Sequence, residues 1–237
     1  MSEKPLSLDA FGLLAKPIRD GLVELGFIEP TLPQIMAIPP VLHGENVLLI
    51  APTGSGKTEA VLLPIFSKLI QQEDKKGISV VYITPLRALN RDMLKRLSFW
   101  AERLGISVEV RHGDTEMKLR RKQAISPPQM LVTTPETMQA ILSGSRMRQH
   151  LTKVRYMIVD EVHELAGDKR GVQLTIALER LREVVGKDFQ RVGLSATVGN
   201  PDEIARFIAG TGRNIGVVQA SLPKGYSTRW RLQRQLM

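Results

Sequence analysis

The segment from Ala51 to Thr58, Ala-Pro-Thr-Gly-Ser-Gly-Lys-Thr, has the residue types and spacing that bind a nucleoside triphosphate. Its two glycines lack Cβ atoms, so the loop can curl its backbone N–H groups around a β-phosphate, and the N-terminus of the helix predicted next adds a positive dipole end. Lys57 would neutralise the β- and γ-phosphates, and the hydroxyl of Thr58 would ligate Mg²⁺. The usual pattern begins with glycine where this chain has Ala51, a variant that the intact Gly-Lys-Thr tripeptide makes tolerable. We therefore predict ATP and Mg²⁺ as cofactors, with the nucleotide bound by Pro52, Thr53, Gly54, Ser55, Gly56, Lys57, Thr58 and Glu59.

A second group of reactive side chains follows the apolar run Tyr-Met-Ile-Val at 156–159. A carboxylate at a strand's end beside the phosphate loop can hold Mg²⁺ through its water shell, and a second can orient or deprotonate the attacking water. We assign the metal role to Asp160, together with Thr58, and the base role to Glu161. Taken alone, this pair could also be an exposed acidic turn. Combined with the phosphate loop, it predicts ATP hydrolysis with Lys57, Asp160 and Glu161 as catalytic residues.

His163 and the segment Leu-Ser-Ala-Thr at 194–197 are candidates for coupling the state of the nucleotide to the rest of the molecule. The hydroxyls of Ser195 and Thr197 lie at the end of another predicted strand, where a histidine could relay the state of the γ-phosphate. Two structural alternatives remain open. His163 could be a satisfied core histidine, and Ser195, Thr197 or Asn200 could cap the next helix.

The elements that position these residues follow from the hydrophobic pattern. Short β-branched runs alternate with longer amphipathic stretches, which is typical of repeated βα units in an α/β fold, a mostly parallel sheet with helices on both faces. Ligands of open α/β sheets bind outside the carboxyl ends of the strands, so the polar segments that end these strands should share one functional edge. The pattern predicts strands at 46–52, 79–85, 107–113, 129–135, 156–162 and 189–197, and helices at 31–42, 57–71, 86–104, 135–143, 170–186 and 201–209.

Composition limits the classes of protein to which the chain can belong. With 237 residues, of which 43% are hydrophobic, it can bury one large core, and we expect a single domain. The absence of cysteine excludes disulfides and thiolate metal sites. No apolar run reaches the length that crosses a bilayer, so we expect a cytosolic protein with no membrane partner. The net charge of +9 favours polyanionic partners, with a solvated basic surface as the alternative, and the basic tail at 224–237 has no assigned role.

Together these strings resemble the first RecA-like lobe of superfamily-two helicases. The likeness covers nearly the whole chain: 30–34 resembles a Q motif, 51–60 motif I, 84–92 motif Ia, 132–138 motif Ib, 160–163 (Asp-Glu-Val-His) motif II and 195–197 motif III. It implies a RecA-like P-loop NTPase fold, with one helicase ATP-binding domain over residues 1–237 and Q-motif helices within about 1–44. It also implies that Gln34, otherwise an ordinary polar helix residue, reads the adenine edge. The aromatic residue that stacks on adenine in relatives has no clear equivalent near Pro17.

Within that superfamily, the segments 160–181 and 191–210, with Arg-His-Gly-Asp-Thr at 111–115, are most similar to the large helicase-related (Lhr) family. The resemblance implies an ATP-driven helicase that moves 3′ to 5′ along single-stranded DNA and can act on RNA–DNA hybrids, with the archaeal repair helicases as a neighbouring possibility. Hydroxyls and helix N-terminal amides can hold phosphates without reading bases. Arg87 would add positive charge; taken alone, it could also be a solvated helix residue or form a local salt bridge. The implied nucleic-acid contacts are Pro85, Leu86, Arg87, Ala88, Gly113, Asp114, Thr134, Pro135 and Glu136.

A complete motor of this class has two RecA-like lobes, and an arginine from the second lobe stabilises the transition state, typically by ~10³ to 10⁵ in rate. No motifs IV to VI follow motif III in this sequence, so we expect the second lobe to be a partner that the chain lacks. We predict that the isolated lobe binds Mg-ATP, hydrolyses it slowly and does not unwind duplexes. Two alternatives remain: an RNA-directed DExH helicase lobe, and a non-catalytic module in which ATP only switches the affinity for nucleic acid.

Overall fold

The computed structural model describes residues 9–74, 76–89, 91–196 and 198–220, with the side chain of Arg87 left out. Three parts of the chain that the sequence analysis discussed therefore lie outside the described residues: the predicted coupling residue Thr197, the side chain of Arg87 and the basic tail at 224–237. Within the described residues, no helix is long and apolar enough to cross a membrane.

A parallel sheet forms the centre of the molecule. Its strands are β1 (Val47–Ile50), β2 (Val80–Ile83), β3 (Val108–Arg111), β4 (Met130–Thr133), β5 (Tyr156–Val159), β6 (Gln190–Ser195) and β7 (Gly216–Gln219). They lie in the order β3-β4-β2-β5-β6-β1-β7, and every pairing is parallel. The sequence predicted the first six strands but extended all six too far at the carboxyl end, where the chain leaves the sheet to form the polar segments.

Strand β7 is the one strand of the described sheet that the sequence pattern missed. It pairs with β1 in parallel, and Val218 alone among its four residues is buried. Its Gly-Val-Val-Gln sequence has neither the continuous apolar run nor the alternation of apolar and polar residues by which the other strands were identified. Its backbone pairs with β1, and Val218 and Val217 pack against the apolar residues on the two faces of the sheet.

The helices cover both faces of the sheet. They are α1 (Lys16–Glu24), α2 (Leu32–His43), α3 (Lys57–Ile70), α4 (Arg91–Leu104), α5 (Met117–Ile125), α6 (Pro135–Ser143), α7 (Ser145–His150), α8 (Val162–Leu165), α9 (Lys169–Val185) and α10 (Pro201–Ala209). The predicted helix 86–104 is wrong in its first part: Leu86–Ala88 is a separate 3-10 turn, because Leu89 has a ψ of 68° and leaves the helical region. The hydrophobic pattern did not predict the short helices α1, α5, α7 and α8; helices in the region of α1 were implied only by the resemblance.

Alternating side chains of β2, β4 and β5 enter two different cores. Val80 and Tyr82 of β2 pack with α1 to α4 on one face, whereas Val81 and Ile83 pack with α6 to α9 on the other. Strands β1, β2, β4 and β5 are buried throughout, as expected for a parallel sheet covered on both sides. This layering brings the carboxyl ends of all these strands to one edge, where the polar segments meet.

Candidate nucleotide-binding and catalytic site

The phosphate loop connects β1 to α3 and depends on two glycines with left-handed backbones. Gly54 has a φ of 77° and Gly56 a φ of 84°, a conformation that residues with a Cβ rarely adopt. A Cβ on Gly56 would also lie 2.8 Å from Nε2 of Gln34. The loop is closed by the hydroxyl of Ser55, which donates to the carbonyl of Pro52 at 2.7 Å. Gly56 is therefore required twice, by its own backbone and by the neighbouring helix α2.

Gln34 is buried against this loop rather than solvated on a helix surface. The side chain is 4% exposed, and its Oε1 accepts the backbone N–H of Thr31 at 2.8 Å, which fixes the start of α2. One amide oxygen lone pair is thereby used within the helix start, and the NH₂ group faces Gly56. Because it is buried, Gln34 is not an ordinary surface residue. Its role in binding adenine stays a prediction.

A cavity of about 620 Å³ joins α2 and the phosphate loop to the acidic motif. Phe27 lines the cavity together with Thr31 and Gln34, and its side chain is half exposed. Sequence reasoning missed Phe27 because it looked for the stacking aromatic near Pro17, which lies in α1 and accepts a hydrogen bond from Arg103 there. The aromatic seven residues before Gln34 was the available signal. The cavity is lined by Phe27, Thr31, Gln34, Thr53, Gly54, Gly56, Lys57, Thr58, Glu59, Ala88, Asp92, Met93, Arg96, Asp160 and Glu161.

Lys57 is a buried cation whose charge is incompletely satisfied. The residue is 6% exposed, and its Nζ lies 3.5 Å from Oε1 of Glu161. Among the described residues no group forms a hydrogen bond with Nζ. A buried ammonium group without a hydrogen bond is expensive, and phosphate oxygens would supply the missing acceptors. The surroundings of Lys57 therefore fit the phosphate groups of a nucleotide.

Asp160 follows β5 and has both carboxylate oxygens occupied. The hydroxyl of Tyr82 donates to Oδ2 at 2.5 Å, and the backbone N–H of Glu161 donates to Oδ1 at 2.9 Å. Burial raises the pKa of Asp160, because an ionised carboxylate loses its hydration there, although the hydrogen bond from Tyr82 opposes this. Burial likewise raises the pKa of Tyr82, and the charge of Asp160 raises it further, so the phenol stays a proton donor.

Glu161 has an unusual backbone conformation. Its φ of 49° and ψ of 45° place it in the left-handed region, and it is the one residue other than glycine with a positive φ in the part of the chain that the structure describes. Such strain persists where the surrounding structure imposes it, and it is frequent at functional sites. The conformation turns the chain sharply from β5 into α8. It brings Oε1 toward Lys57 and Oε2 to 3.4 Å from Nδ1 of His163.

His163 connects the acidic motif to the end of β6. Its Nδ1 lies 3.3 Å from the hydroxyl of Ser195 and 3.3 Å from the backbone N of Ala196. The backbone N–H of Ala196 can only donate, so Nδ1 accepts in that contact. The side chain is 30% exposed, which does not fit a core histidine. Asn200 caps α10 by accepting the N–H of Glu203, so the capping role falls to Asn200 and leaves Ser195 to the histidine.

The predicted metal residues Thr58 and Asp160 both line the cavity, at the end that Lys57 occupies. Among the described residues no group of three His, Cys, Asp or Glu side chains could hold a metal by itself. The donor set, one hydroxyl and one carboxylate, fits Mg²⁺ that keeps waters and takes its other ligands from phosphates. Glu59, predicted to bind the nucleotide, lines the same cavity and pairs with Arg96 of α4 at 2.8 Å, and its role toward the nucleotide stays a prediction.

The residues predicted to contact nucleic acid follow three adjacent strands. Pro85 to Ala88 follow β2, Gly113 and Asp114 follow β3, and Thr134 to Glu136 follow β4, in a sheet where β3, β4 and β2 are neighbours. The three segments therefore lie side by side along one edge. The hydroxyl of Thr134 is buried and accepts the N–H of Thr137 as the cap of α6. Pro135 has no N–H and Met138 donates to the carbonyl of Thr134, so the amide that this segment can offer to a phosphate is that of Glu136.

Arg120 of α5 shapes the turn after β3 and was not singled out from the sequence. Its Nε donates to the carbonyl of Thr115 at 2.8 Å, and its Nη2 donates to the carbonyls of His112, at 3.1 Å, and Gly113. Three carbonyls of one turn thus converge on a single guanidinium. The backbone of the turn that carries Gly113 and Asp114 is held by this contact.

Known proteins with similar sequences include ATP-dependent helicases, in agreement with the geometry of the phosphate loop and the acidic motif. A sequence model of the DEAD/DEAH box helicase family matches residues 31–204. The Lhr helicase/probable uracil glycosylase of Mycolicibacterium smegmatis is 43% identical over 198 residues, which cover 78% of this chain and 13% of that protein. The ATP-dependent helicase Lhr-Core protein 2 of Thermococcus barophilus is 39% identical over 85% of this chain and 25% of that protein.

A solved structure extends the comparison to the fold. The helicase Lhr of Mycobacterium smegmatis, bound to single-stranded DNA and AMP-PNP, matches with a TM-score of 0.81 at 39% identity, over 90% of this chain and 29% of that one. This match confirms the predicted RecA-like fold. The chain spans about a quarter or less of the length of the two curated relatives.

Proposed function

Because the chain belongs to the DEAD/DEAH box helicase family, we propose that it is the ATP-binding first RecA-like lobe of a nucleic-acid motor similar to the Lhr helicases. The observation that carries the proposal is the buried Lys57 ammonium, which has no hydrogen-bond partner among the described residues and lies 3.5 Å from Glu161. An acceptor is missing at the point where the loop amides and α3 would place a phosphate. Residues 1–237 act as one domain in this proposal, with the Q-motif helices within about 1–44.

Each residue of the site then has a separate task. Lys57 and the loop amides bind the phosphates, while Phe27 and Gln34 bind the base at the other end of the cavity. Thr58 and Asp160 would hold Mg²⁺, which supplies charge neutralisation at the β- and γ-phosphates. Glu161 orients the attacking water and takes its proton. His163 passes the change in Glu161 to Ser195 and the end of β6, with Thr197 as the next residue in the relay.

The three adjacent strand ends form the track for nucleic acid. Single-stranded DNA, followed 3′ to 5′, is the proposed substrate, and the DNA-bound Lhr helicase supports this choice because it shares 39% identity with the chain. RNA–DNA hybrids and RNA are the alternatives, distinguished by which of them stimulates ATP hydrolysis. A second RecA-like lobe is the proposed partner, because an arginine supplied from it typically raises the rate by ~10³ to 10⁵. By itself the lobe hydrolyses ATP slowly and does not unwind duplexes. A cytosolic location remains a prediction.

Glu161→Gln tests the proposal, because it keeps the shape of the side chain and removes its basicity. Binding of a non-hydrolysable ATP analogue should change by less than about twofold, while single-turnover hydrolysis of radiolabelled ATP should fall by ~10² or more. The matched control is Glu183→Gln, an exposed carboxylate on α9, which should leave both unchanged. Hydrolysis that survives Glu161→Gln would remove Glu161 from the mechanism. ATP binding without hydrolysis when a second RecA-like lobe is also present would favour a nucleotide-switched binding module instead.

A further inference from the structure

The hydrogen bond between Tyr82 and Asp160 crosses two strands of the buried sheet. Tyr82 of β2 is fully buried, and its hydroxyl lies 2.5 Å from Oδ2 of Asp160. We propose that Tyr82 is a positioning residue that orients the Asp160 carboxylate toward the Mg²⁺ of the bound nucleotide, an inference that rests on the proposed function.

The register of the parallel strands produces this contact. Tyr82 lies opposite Ile158, so it points to the same face of the sheet as Asp160, two residues further along β5. Asp160 leaves the sheet at this point, with its backbone N–H still donating to the carbonyl of Ile83 at 2.8 Å. A phenol is long enough to bridge the two positions, whereas the aliphatic residues that fill the rest of β2 carry no polar atom.

The two hydrogen bonds on Asp160 fix its orientation. Oδ1 accepts the N–H of Glu161, and Oδ2 accepts the hydroxyl of Tyr82. Each oxygen retains a lone pair that can accept a water of the Mg²⁺ shell. With the phenol removed, one donor would remain and the carboxylate could rotate about its last bond. Partners that orient metal-binding carboxylates in this way typically change metal affinity by ~10- to 100-fold.

Tyr82 could otherwise be a core residue whose hydroxyl happens to find an acceptor. The dependence of nucleotide binding on Mg²⁺ separates the two roles, because a packing residue changes stability without changing that dependence. Tyr156 provides the matched control: it is also a nearly buried tyrosine on the neighbouring strand β5, but it lies at the amino end, away from the cavity.

The test is calorimetric titration of AMP-PNP into the 237-residue chain at a series of Mg²⁺ concentrations and in EDTA. For Tyr82→Phe we expect the Mg²⁺ concentration at half-maximal enhancement of binding to rise by about tenfold. Affinity in EDTA should stay within about twofold, because Lys57 and the loop amides are untouched. Tyr156→Phe should match the unsubstituted chain in both measurements. In an Asp160→Asn background, Tyr82→Phe should add no further change, since the two side chains act as one unit.

Three results would overturn the inference. Tyr82→Phe could show the Mg²⁺ dependence of the unsubstituted chain, or it could add its full effect when Asp160 is already asparagine. In the third result, the unsubstituted chain binds AMP-PNP with no dependence on Mg²⁺, and the proposed function then fails together with the inference. In the first two results the unsubstituted chain still depends on Mg²⁺, so only the inference about Tyr82 fails.

A measurement on the unsubstituted side chains covers the case in which Tyr82→Phe does not fold. The chain contains three tyrosines, which can be labelled as 3-fluorotyrosine and resolved by ¹⁹F NMR. Adding Mg²⁺ to the AMP-PNP complex should shift the resonance of Tyr82 and leave that of Tyr156 in place. A Tyr82 resonance that does not respond to Mg²⁺ would contradict the positioning role.

Discussion

At the scale of single residues, the site keeps a carboxylate in a place that favours its neutral form. Asp160 is 6% exposed, and burial raises its pKa despite the hydrogen bond from Tyr82. In the proposed function the ionised group holds the cation that arrives with the nucleotide, and without that cation the ionised group destabilises the folded chain. Function and stability therefore oppose each other at this residue.

Asp160→Asn should stabilise the chain at neutral pH. The folded pKa lies above the value of about 3.9 for an unfolded aspartate, so the folded state binds the proton more tightly and the free energy of unfolding rises as the pH falls through the folded pKa. Asparagine imitates the protonated acid at every pH. Thermal unfolding should show a higher melting temperature at pH 7.5, by roughly 2 to 4 °C per kcal/mol gained, and the difference should shrink toward acid pH.

Asp188 serves as the control, because its pKa is shifted in the opposite direction to that of Asp160. Burial acts to raise the pKa of Asp188, but the hydrogen bond and charge of Arg213 outweigh it, and the pKa is lowered. Asp188→Asn should therefore lower the melting temperature at neutral pH, with the loss disappearing as the pH falls through the depressed pKa. Equal effects of the two substitutions would contradict this account of Asp160.

At the scale of elements, the phosphate loop is shaped by the helix beside it as much as by its own sequence. Gly56 begins α3 in a left-handed conformation, and Gln34 of α2 occupies the space where a Cβ would lie. The start of α2 is fixed in turn by the bond between Gln34 and Thr31. The Q motif and the loop thus form one packed unit.

Gly56→Ala should disrupt this unit, and Gly44→Ala is its matched control. Both glycines have a φ near 85°, but a Cβ on Gly44 would meet no atom within 4 Å. Gly44→Ala should lower the free energy of unfolding by about 1 to 2 kcal/mol from the left-handed backbone alone and leave ATP binding unchanged. Gly56→Ala should lower it further and reduce ATP affinity, measured by denaturant unfolding and calorimetry. Equal losses of stability would mean that the Gln34 contact contributes nothing.

At the scale of the whole molecule, the sheet order decides which strand ends can contact a single nucleic-acid strand. The neighbours β3, β4 and β2 carry the three segments of the proposed track, whereas β5, β6 and β1 carry the proposed catalytic residues and the phosphate loop. One edge of the sheet is therefore divided into two regions, joined where β2 meets β5. Tyr82 and Asp160 lie at that junction.

The net charge of +9 predicts single-stranded DNA binding that weakens with salt. If each of the three segments holds about one phosphate, the logarithm of the association constant should fall by about 2 per tenfold increase in salt, since each contact with a single strand contributes roughly 0.7. Fluorescence anisotropy with an oligonucleotide measures this slope. Arg155→Ala with Lys187→Ala removes exposed charge just before β5 and β6, at the amino edge, and should leave the slope unchanged. A reduced slope in that variant would mean that the basic surface binds without a track.

The sequence alone determined the order of strands along the chain, the phosphate loop and the acidic motif, because each of these is a local pattern. Gly54, Gly56, Lys57 and the Asp160–Glu161 pair could be identified from residue types and from their position at predicted strand ends. The alternation of strands and helices likewise predicted a parallel sheet, since parallel strands need crossover helices. Strand β7 and the 3-10 turn at Leu86–Ala88 were beyond this reasoning, because backbone pairing and one non-helical residue decide them.

Only the tertiary structure decided which side chains complete the site. Tyr82 reads in the sequence as one more apolar strand residue, and its contact with Asp160 spans 78 residues of chain. In the sequence Phe27 looks like a loop residue, but in the fold it lines the cavity. Arg120 looks like one of several charges in a basic helix, but in the fold it donates to three backbone carbonyls. The physical reason is the same in each case. Strand register and helix packing set these contacts, and neither leaves a periodic signal at the residues involved.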